Sequence, residues 1–342
     1  MPMKTIRASN VNRFLAATSF LAFLATFANA ELPNLAISLN TTNVTLSWST
    51  NYPDYILESA GDLNGSWTNV AETTNYTVSL PVSSSNQFFR LKETVSVTYI
   101  LNEGFLLRAR GKKVLIDGIF DPSVWTHYGV PSGDVYNAET NALPPIDNID
   151  ALLVSHTHSD HLHARFTFQH LTNDTTAMLI GPRSVYSTIR SATGSYFGMV
   201  TNQIVQATPT NGSSTNVVIG DMTFKVVGLT QSDDPAINDG FLFTLGGLRF
   251  LHVGDNYSTN PFDYQPMAGE QIDVAMINCY LFDNPHGAQA VINILNPKTM
   301  LVMHQHPDQM EYYRNIINGL TNVPPFYMMG TNAMTTYRFP TK

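Results

Sequence analysis

The sequence predicts an α+β protein in two parts, a small all-β sandwich followed by a larger domain that mixes strands and helices. Three observations predict it. The 312 residues that follow Ala30 exceed what one average domain needs. Residues 31–94 are poor in charge, rich in Thr, Ser and Asn, and divided into short β-prone runs. Around residues 151–171, an apolar strand-like run, a polar loop and a helix-like run follow one another.

The first thirty residues read as a secretory signal rather than as part of the fold. Lys4, Arg7 and Arg13 give a basic start, and Phe14 to Phe27 form an apolar run too short for a comfortable membrane span. Ala28-Asn29-Ala30 is the small-x-small cleavage site. The expectation is a secreted or periplasmic protein cut near Ala30, with no transmembrane span in the mature chain. Cleavage takes the formal net charge from −8 to −11. So acidic a chain argues against nucleic acid as partner, because binding it requires neutralised phosphates. Cys279 is the only cysteine, which excludes an intramolecular disulfide; its apolar surroundings predict a buried thiol.

In residues 31–94 the β-prone runs are Leu35–Leu39, Val44–Trp48, Tyr55–Leu57, Trp67–Val70, Tyr76–Leu80 and Phe88–Leu91. Turn formers separate them, among them Asn51 to Asp54 and Gly61 to Gly65. The segment resembles the fibronectin type III-like accessory modules found at the ends of secreted bacterial enzymes. Trp48 and Trp67 have two readings, core filling and a sugar platform, and core filling is the commoner use. The module holds no catalytic constellation. Its expected role is to bind a surface, a glycan or a second subunit.

The second part, residues 95–342, carries the chemistry. Four of the ten histidines fall in Ser155–His163, and His156, His158, Asp160 and His161 form His-x-His-x-Asp-His. The apolar run Ala151–Val154 precedes them as a buried strand would, and residues 164–171 follow as a helix would. Imidazole nitrogen and carboxylate oxygen suit Zn²⁺ and its first-row neighbours. Two His at i and i+2 on an extended loop can grip one ion, leaving the Asp-His pair for a second.

This pattern resembles the metallo-β-lactamase superfamily, and the resemblance runs from about residue 96 to the C-terminus. Asn102-Glu103-Gly104 with Lys113–Asp117 resembles its opening hairpin. Gly246–Asp255 resembles its strand ending in Gly-Asp, and Lys298–His304 the late strand that delivers the last His. Within the superfamily, the branch of ascorbate-phosphate lactonase and N-acyl phosphatidylethanolamine phospholipase D is most similar. The resemblance implies an αββα sandwich with a two-metal site at one edge of its sheets. It implies His156 and His158 on a first ion, Asp160, His161 and His304 on a second, and Asp255 between them. The ions implied are Zn²⁺, one or two, with Mn²⁺ or Fe²⁺ as alternatives.

The superfamily has a further His before the Gly-Asp. Here Val226–Asp234 contains none. Gln231, 24 residues before Asp255, stands at the aligned position, and Asp233 and Asp234 are the neighbouring oxygen donors. An amide oxygen is neutral and a poorer Zn²⁺ donor than imidazole. Three outcomes stay open: a weakened two-metal site, a one-metal site, and a member that has lost catalysis.

The expected function is a secreted metal-dependent hydrolase. A metal-bound hydroxide would attack an ester, lactone or phosphodiester in a small-molecule or lipid-like substrate. Asp160 would orient the nucleophile. His163 would act behind the ligands or as leaving-group acid, and His252 would orient a ligand, touch substrate or serve as a core histidine. The competing expectation is a non-catalytic protein with a degraded first metal site, binding through its N-terminal module.

Overall fold

The computed structural model describes residues 33–342 except 51–52, 71–75, 83–85, 122, 124–128, 231–236 and 331. The expected leader therefore lies outside the described residues, and so do Gln231, Asp233 and Asp234.

The N-terminal module contains β1 (Ala36–Leu39), β2 (Asn43–Ser47), β3 (Tyr55–Ala60), β4 (Thr68–Asn69) and β5 (Thr77–Pro81), and it ends in β6 (Phe88–Leu101). β2 pairs with β1 and β5 in one antiparallel sheet, and β3 pairs with β4 and β6 on the other side. Leu46, Trp48 and Leu57 fill the space between, flanked by Val44, Val78, Leu80 and Phe89. Trp48 is thus a core residue. Trp67 is half-buried, with the Arg90 guanidinium 4.2 Å from its ring centre.

β6 joins the two parts. The sequence reading ended a run at Leu91 and drew its boundary between residues 94 and 95, but the structure carries one 14-residue strand through both. No Gly or Pro interrupts residues 88–101, and Thr94, Val95, Val97, Thr98 and Ile100 are β-branched. Its first half pairs with β3, and its second half begins the larger sheet. Arg108 in that sheet donates to Asp54 at 2.8 Å, and the Ser96 hydroxyl donates to the same carboxylate at 2.9 Å.

That larger sheet continues through β7 (Gly104–Ala109) and β8 (Lys112–Ile116) to β9 (Ala151–Leu153), β10 (Met178–Gly181) and β11 (Ile204–Gln206). The helix α1 (Gly133–Asn141) lies between β8 and β9, and α2 (Ala164–Asn173) and α3 (Arg183–Thr193) connect the parallel pairs that follow. A seven-stranded sheet comes next. Its antiparallel part is β12 (Ser214–Ile219), β13 (Met222–Thr230), β14 (Ile237–Leu245) and β15 (Leu248–His252). Its parallel part adds β16 (Val274–Asn278), β17 (Thr299–Met303) and β18 (Phe326–Met328), connected by α4 (Pro285–Leu295) and α5 (Met310–Asn318). The last strand, β19 (Thr335–Pro340), returns to pair with β6. The two large sheets share one apolar core, with Phe105, Leu107 and Ile116 from one and Phe241, Phe250 and Ala275 from the other. This is the αββα sandwich expected of the sequence.

Strand direction fixes where the site must be. β6, β8 and β9 run the same way, so Leu101, Ile116 and Leu153 end at one edge of the first sheet. β15, β16 and β17 are parallel, so His252, Asn278 and Met303 end together at an edge of the second. The residues just beyond those six ends are Asn102, Asp117, His156, Asp255, Cys279 and His304. Ligand sites in parallel sheets favour the carboxyl ends of strands.

Candidate metal centre

Three residues at these strand ends hold the left-handed backbone that non-glycine residues avoid: Asn102 (φ 52°), Asp117 (φ 42°) and His304 (φ 64°). Such strain concentrates where side chains must point at a common centre. Gly254, just before Asp255, also has a positive φ of 55°, and a Cβ there would stand 2.2 Å from Asn238 Oδ1. That oxygen accepts from the Asp255 amide at 3.1 Å, so the turn that presents Asp255 requires glycine.

Asp255 sits at the centre. Its Oδ2 lies 3.4 Å from His156 Nε2, while its Oδ1 lies 3.0 Å from His304 Nε2 and 3.6 Å from His161 Nε2. Asp160 Oδ2 approaches the same two rings, 3.4 Å from His304 Nε2 and 3.7 Å from His161 Nε2. Four overlapping triads result, all of them buried: His156, His161 and Asp255; Asp160, His161 and His304; Glu103, Asp255 and His304; and Glu103, Asp117 and His252.

These ligands are held from behind. His161 Nδ1 lies 2.9 Å from Asp117 Oδ2, and that carboxylate also accepts from the amide and hydroxyl of Ser155 at 2.8 and 2.6 Å. The Ser155 hydroxyl lies 3.0 Å from His156 Nδ1. The Asn102 amide donates to Asp160 Oδ2 at 3.2 Å. A carboxylate on Nδ1 leaves Nε2 as the donor atom, and such contacts fix ring orientation at metal sites.

The electrostatics favour cations. Burial acts to lower His304, but Asp255, Asp160 and Glu103 outweigh it and raise its pKa to about 9. His161 goes well up despite burial because Asp160, Asp255 and Asp117 surround it. Burial acts to raise Asp160 and Asp255, yet the facing histidines hold both well below the usual carboxylate range. Burial lowers His156, and the His161 charge adds to that.

The donor set fits a bound metal. The buried Nε2 atoms of His156 and His161 make no hydrogen bond although each faces a carboxylate. Metal–ligand bonds of about 2.0–2.1 Å in tetrahedral geometry place ligand atoms roughly 3.3–3.4 Å apart, close to the separations here. Nitrogen and oxygen donors suit Zn²⁺, Mn²⁺ and Fe²⁺ alike, so the identity of the ion stays open.

Of the residues expected in the site, His156, Asp160, His161, Asp255 and His304 come together. The half-buried ring of His158 stands 4.7 Å from that of His156, but among the described residues no ligand triad includes it. His163 is the N-cap of α2: its Nδ1 accepts from the Phe166 amide, its ring stacks on Phe166, and its Nε2 lies 4.0 Å from Asp121. His252 has both ring nitrogens on backbone. Gly254 N–H donates to its Nδ1 at 3.1 Å, so the proton sits on Nε2, which donates to the Glu103 carbonyl at 3.0 Å. Of the roles expected for His252, this geometry matches the backbone-partnered core histidine. Sequence reasoning assigned no role to Glu103, Asn102, Ser155, Asn238 or Asn278, which are single polar residues outside any metal motif. For Asn102, Glu103, Ser155 and Asn278 the one available clue was position, at or just past the end of an apolar strand; Asn238 stands at the start of β14.

The sequence profile of the β-lactamase superfamily domain matches residues 96–304. The chain belongs to the β-lactamase superfamily. No curated protein matches it in sequence. Among solved structures, Igni18, a metallo hydrolase from the archaeon Ignicoccus hospitalis, is similar at 16% identity and TM-score 0.50, covering 72% of this chain and 99% of its own. A putative metal-dependent hydrolase from Parabacteroides distasonis aligns at 14% identity and TM-score 0.48, over 70% of this chain and 95% of its own. An isothiocyanate hydrolase from Delia radicum gut bacteria aligns at 15% identity and TM-score 0.48, over 72% of this chain and 100% of its own. At these identities the likeness to Igni18 is one of fold.

Proposed function

We propose that this superfamily member is a secreted, metal-dependent hydrolase of an ester, lactone or phosphodiester. The observation that carries it is the Asp255 carboxylate, whose two oxygens face different histidines, Oδ2 toward His156 and Oδ1 toward His161 and His304. A carboxylate so placed can serve two ions. Bound divalent ions would acidify a water and polarise the oxygen of a carbonyl or phosphoryl group. The protein's own part is placement. Asp160, held ionised by His161 and His304 and oriented by Asn102, is the group able to accept a hydrogen bond from an attacking water.

A groove of about 440 Å³ opens beside the centre, bounded by Tyr257, Thr259, Asn260, Tyr280, Asp283 and Asn284. The Tyr280 ring is 5.4 Å from the His304 ring. The lining has one carboxylate and neither Lys nor Arg, so it suits a neutral or cationic substrate group better than an anionic one. That favours an ester or lactone over a phosphodiester. Among the described residues no helix is long and apolar enough to cross a membrane. The fibronectin-like module, tied on by β6 and the Asp54–Arg108 pair, would hold the enzyme to a surface, a glycan or a second subunit.

The test is metal content per chain together with hydrolysis of ester, lactone and phosphodiester probes before and after chelation. The reading expects one or two ions, hydrolysis lost on chelation, and recovery on adding metal. Absence of bound metal would overturn it. Bound metal without hydrolysis of any class would favour the non-catalytic alternative, in which Gln231 weakens the first ion site.

A further inference from the structure

Asn278 makes an unusual set of contacts at the end of β16. Its Nδ2 donates at once to Glu103 Oε1 at 3.0 Å and to Asp255 Oδ1 at 3.1 Å. Its Oδ1 accepts from the Tyr280 amide at 2.9 Å, which fixes which end of the side-chain amide faces the two carboxylates. Glu103 is completely buried, and its Oε2 makes no hydrogen bond and lies 3.7 Å from His161 Nδ1. The Glu103 backbone also leads to Asp255: its carbonyl accepts from His252 Nε2, and His252 Nδ1 accepts from Gly254 N–H. One residue at the β6–β7 turn of the first sheet therefore reaches Asp255 of the second by two routes, through its side chain and Asn278 and through its backbone and His252.

We infer that Glu103 is a positioning residue of the metal centre, holding the Asp255 carboxylate between the two ion sites through Asn278. This rests on the metal-site reading above. The physical reason is hydrogen bonding. Asn278 has two Nδ2 protons, one for each carboxyl group, so Glu103 locks the amide that orients Asp255 Oδ1. Loss of that lock would let Asp255 Oδ1 turn toward His304 and draw Oδ2 away from His156. Contacts of this kind behind a ligand are worth about 10–100-fold in metal affinity.

The test is Glu103→Leu, which keeps most of the bulk of the side chain and removes the acceptor for Asn278 Nδ2. The expected result is about 10–100-fold weaker binding of one of the two ions in a chelator competition, with a changed Co²⁺ visible spectrum. In an Asn278→Ser background, Glu103→Leu should then change affinity by no more than a few-fold, because the route is already cut. Parent affinity and an unchanged Co²⁺ spectrum in Glu103→Leu would overturn the inference, as would full additivity with Asn278→Ser. If Glu103→Leu fails to fold, Asn278→Ser alone reads the same brace from its other end, with the same expected and overturning results. Should the parent protein bind no metal, the metal-site reading fails rather than the role of Glu103.

Discussion

His161 and His304 share two facing carboxylates, Asp160 and Asp255, and His161 is backed by a third, Asp117. His156, on the other side of Asp255, has the Ser155 hydroxyl behind it and one carboxylate oxygen in front. The proposed second ion site thus draws its donors from strand ends of both sheets. The proposed first site depends on the loop at Thr157–Ser159 and on the segment where a histidine would be expected and Gln231 stands. The two proposed sites should therefore bind with unequal strength, the second tightly and the first weakly.

The strongest break of this comparison is to remove a ligand of the better-built side. His304→Ala or Asp160→Asn should release that ion and lower kcat/KM by about 10³-fold, roughly 4 kcal/mol of transition-state stabilisation. His156→Ala should release the weaker ion and spare the stronger. Equal loss of both ions from either side would show that the halves do not differ. Conversely, Gln231→His should sharpen the weaker side. Imidazole for an amide oxygen is expected to tighten that ion by about tenfold, roughly 1.4 kcal/mol, in a chelator titration. An unchanged titration would place the missing donor elsewhere.

Much of the tight half was legible in the sequence, and little of what holds it was. Asp160 and His161 fall in one short motif, which also holds His156 of the weaker half, and Asp255 and His304 each end a strand-like apolar run, so local pattern finds them. Asp117 also closes such a run, but its partners Ser155 and His161 lie 38 and 44 residues away, contacts that no local period encodes. Glu103 and Asn278 are 175 residues apart and meet only because β6 and β16 end at the same edge of facing sheets. The length of β6 is less legible: the β-prone run is cut at Leu91 by the polar residues Lys92 to Thr94, while the period-two pattern carries the strand on to Leu101.

A separate effect, on stability rather than on metal or turnover, comes from a buried carboxylate outside the cluster. Asp239 on β14 is fully buried, and among the described residues neither of its oxygens has a hydrogen-bond partner. Cations hold Asp160 and Asp255 down, whereas burial alone pushes Asp239 up to about 8. Because its folded pKa is raised above the unfolded value, its contribution to stability is fully present below about pH 4. It is lost as pH rises toward about 8, at up to about 1.4 kcal/mol per pH unit. Asp239→Asn mimics the protonated acid and should melt higher than the parent at pH 8 while matching it near pH 4. Parallel melting curves across that range would mean that Asp239 has an unseen partner.

The smallest expected effect concerns the groove, and it separates the ion sites from the surface that selects substrate. Three 4-nitrophenyl esters of equal size, with a neutral, a trimethylammonium or a carboxylate end, present the same bond to the same centre. Asp283, exposed and without a neighbouring cation among the groove-lining residues, should favour the cationic ester over the anionic one by a few-fold at low salt, with the neutral ester between. Screening makes that preference fade as ionic strength rises. Asp283→Lys should invert the order while leaving metal content untouched, since Asp283 belongs to none of the candidate ligand triads. A preference for the anionic ester in the parent would mean that substrate approaches from another side of His304. A preference that survives high salt would mean that shape, not charge, does the selecting.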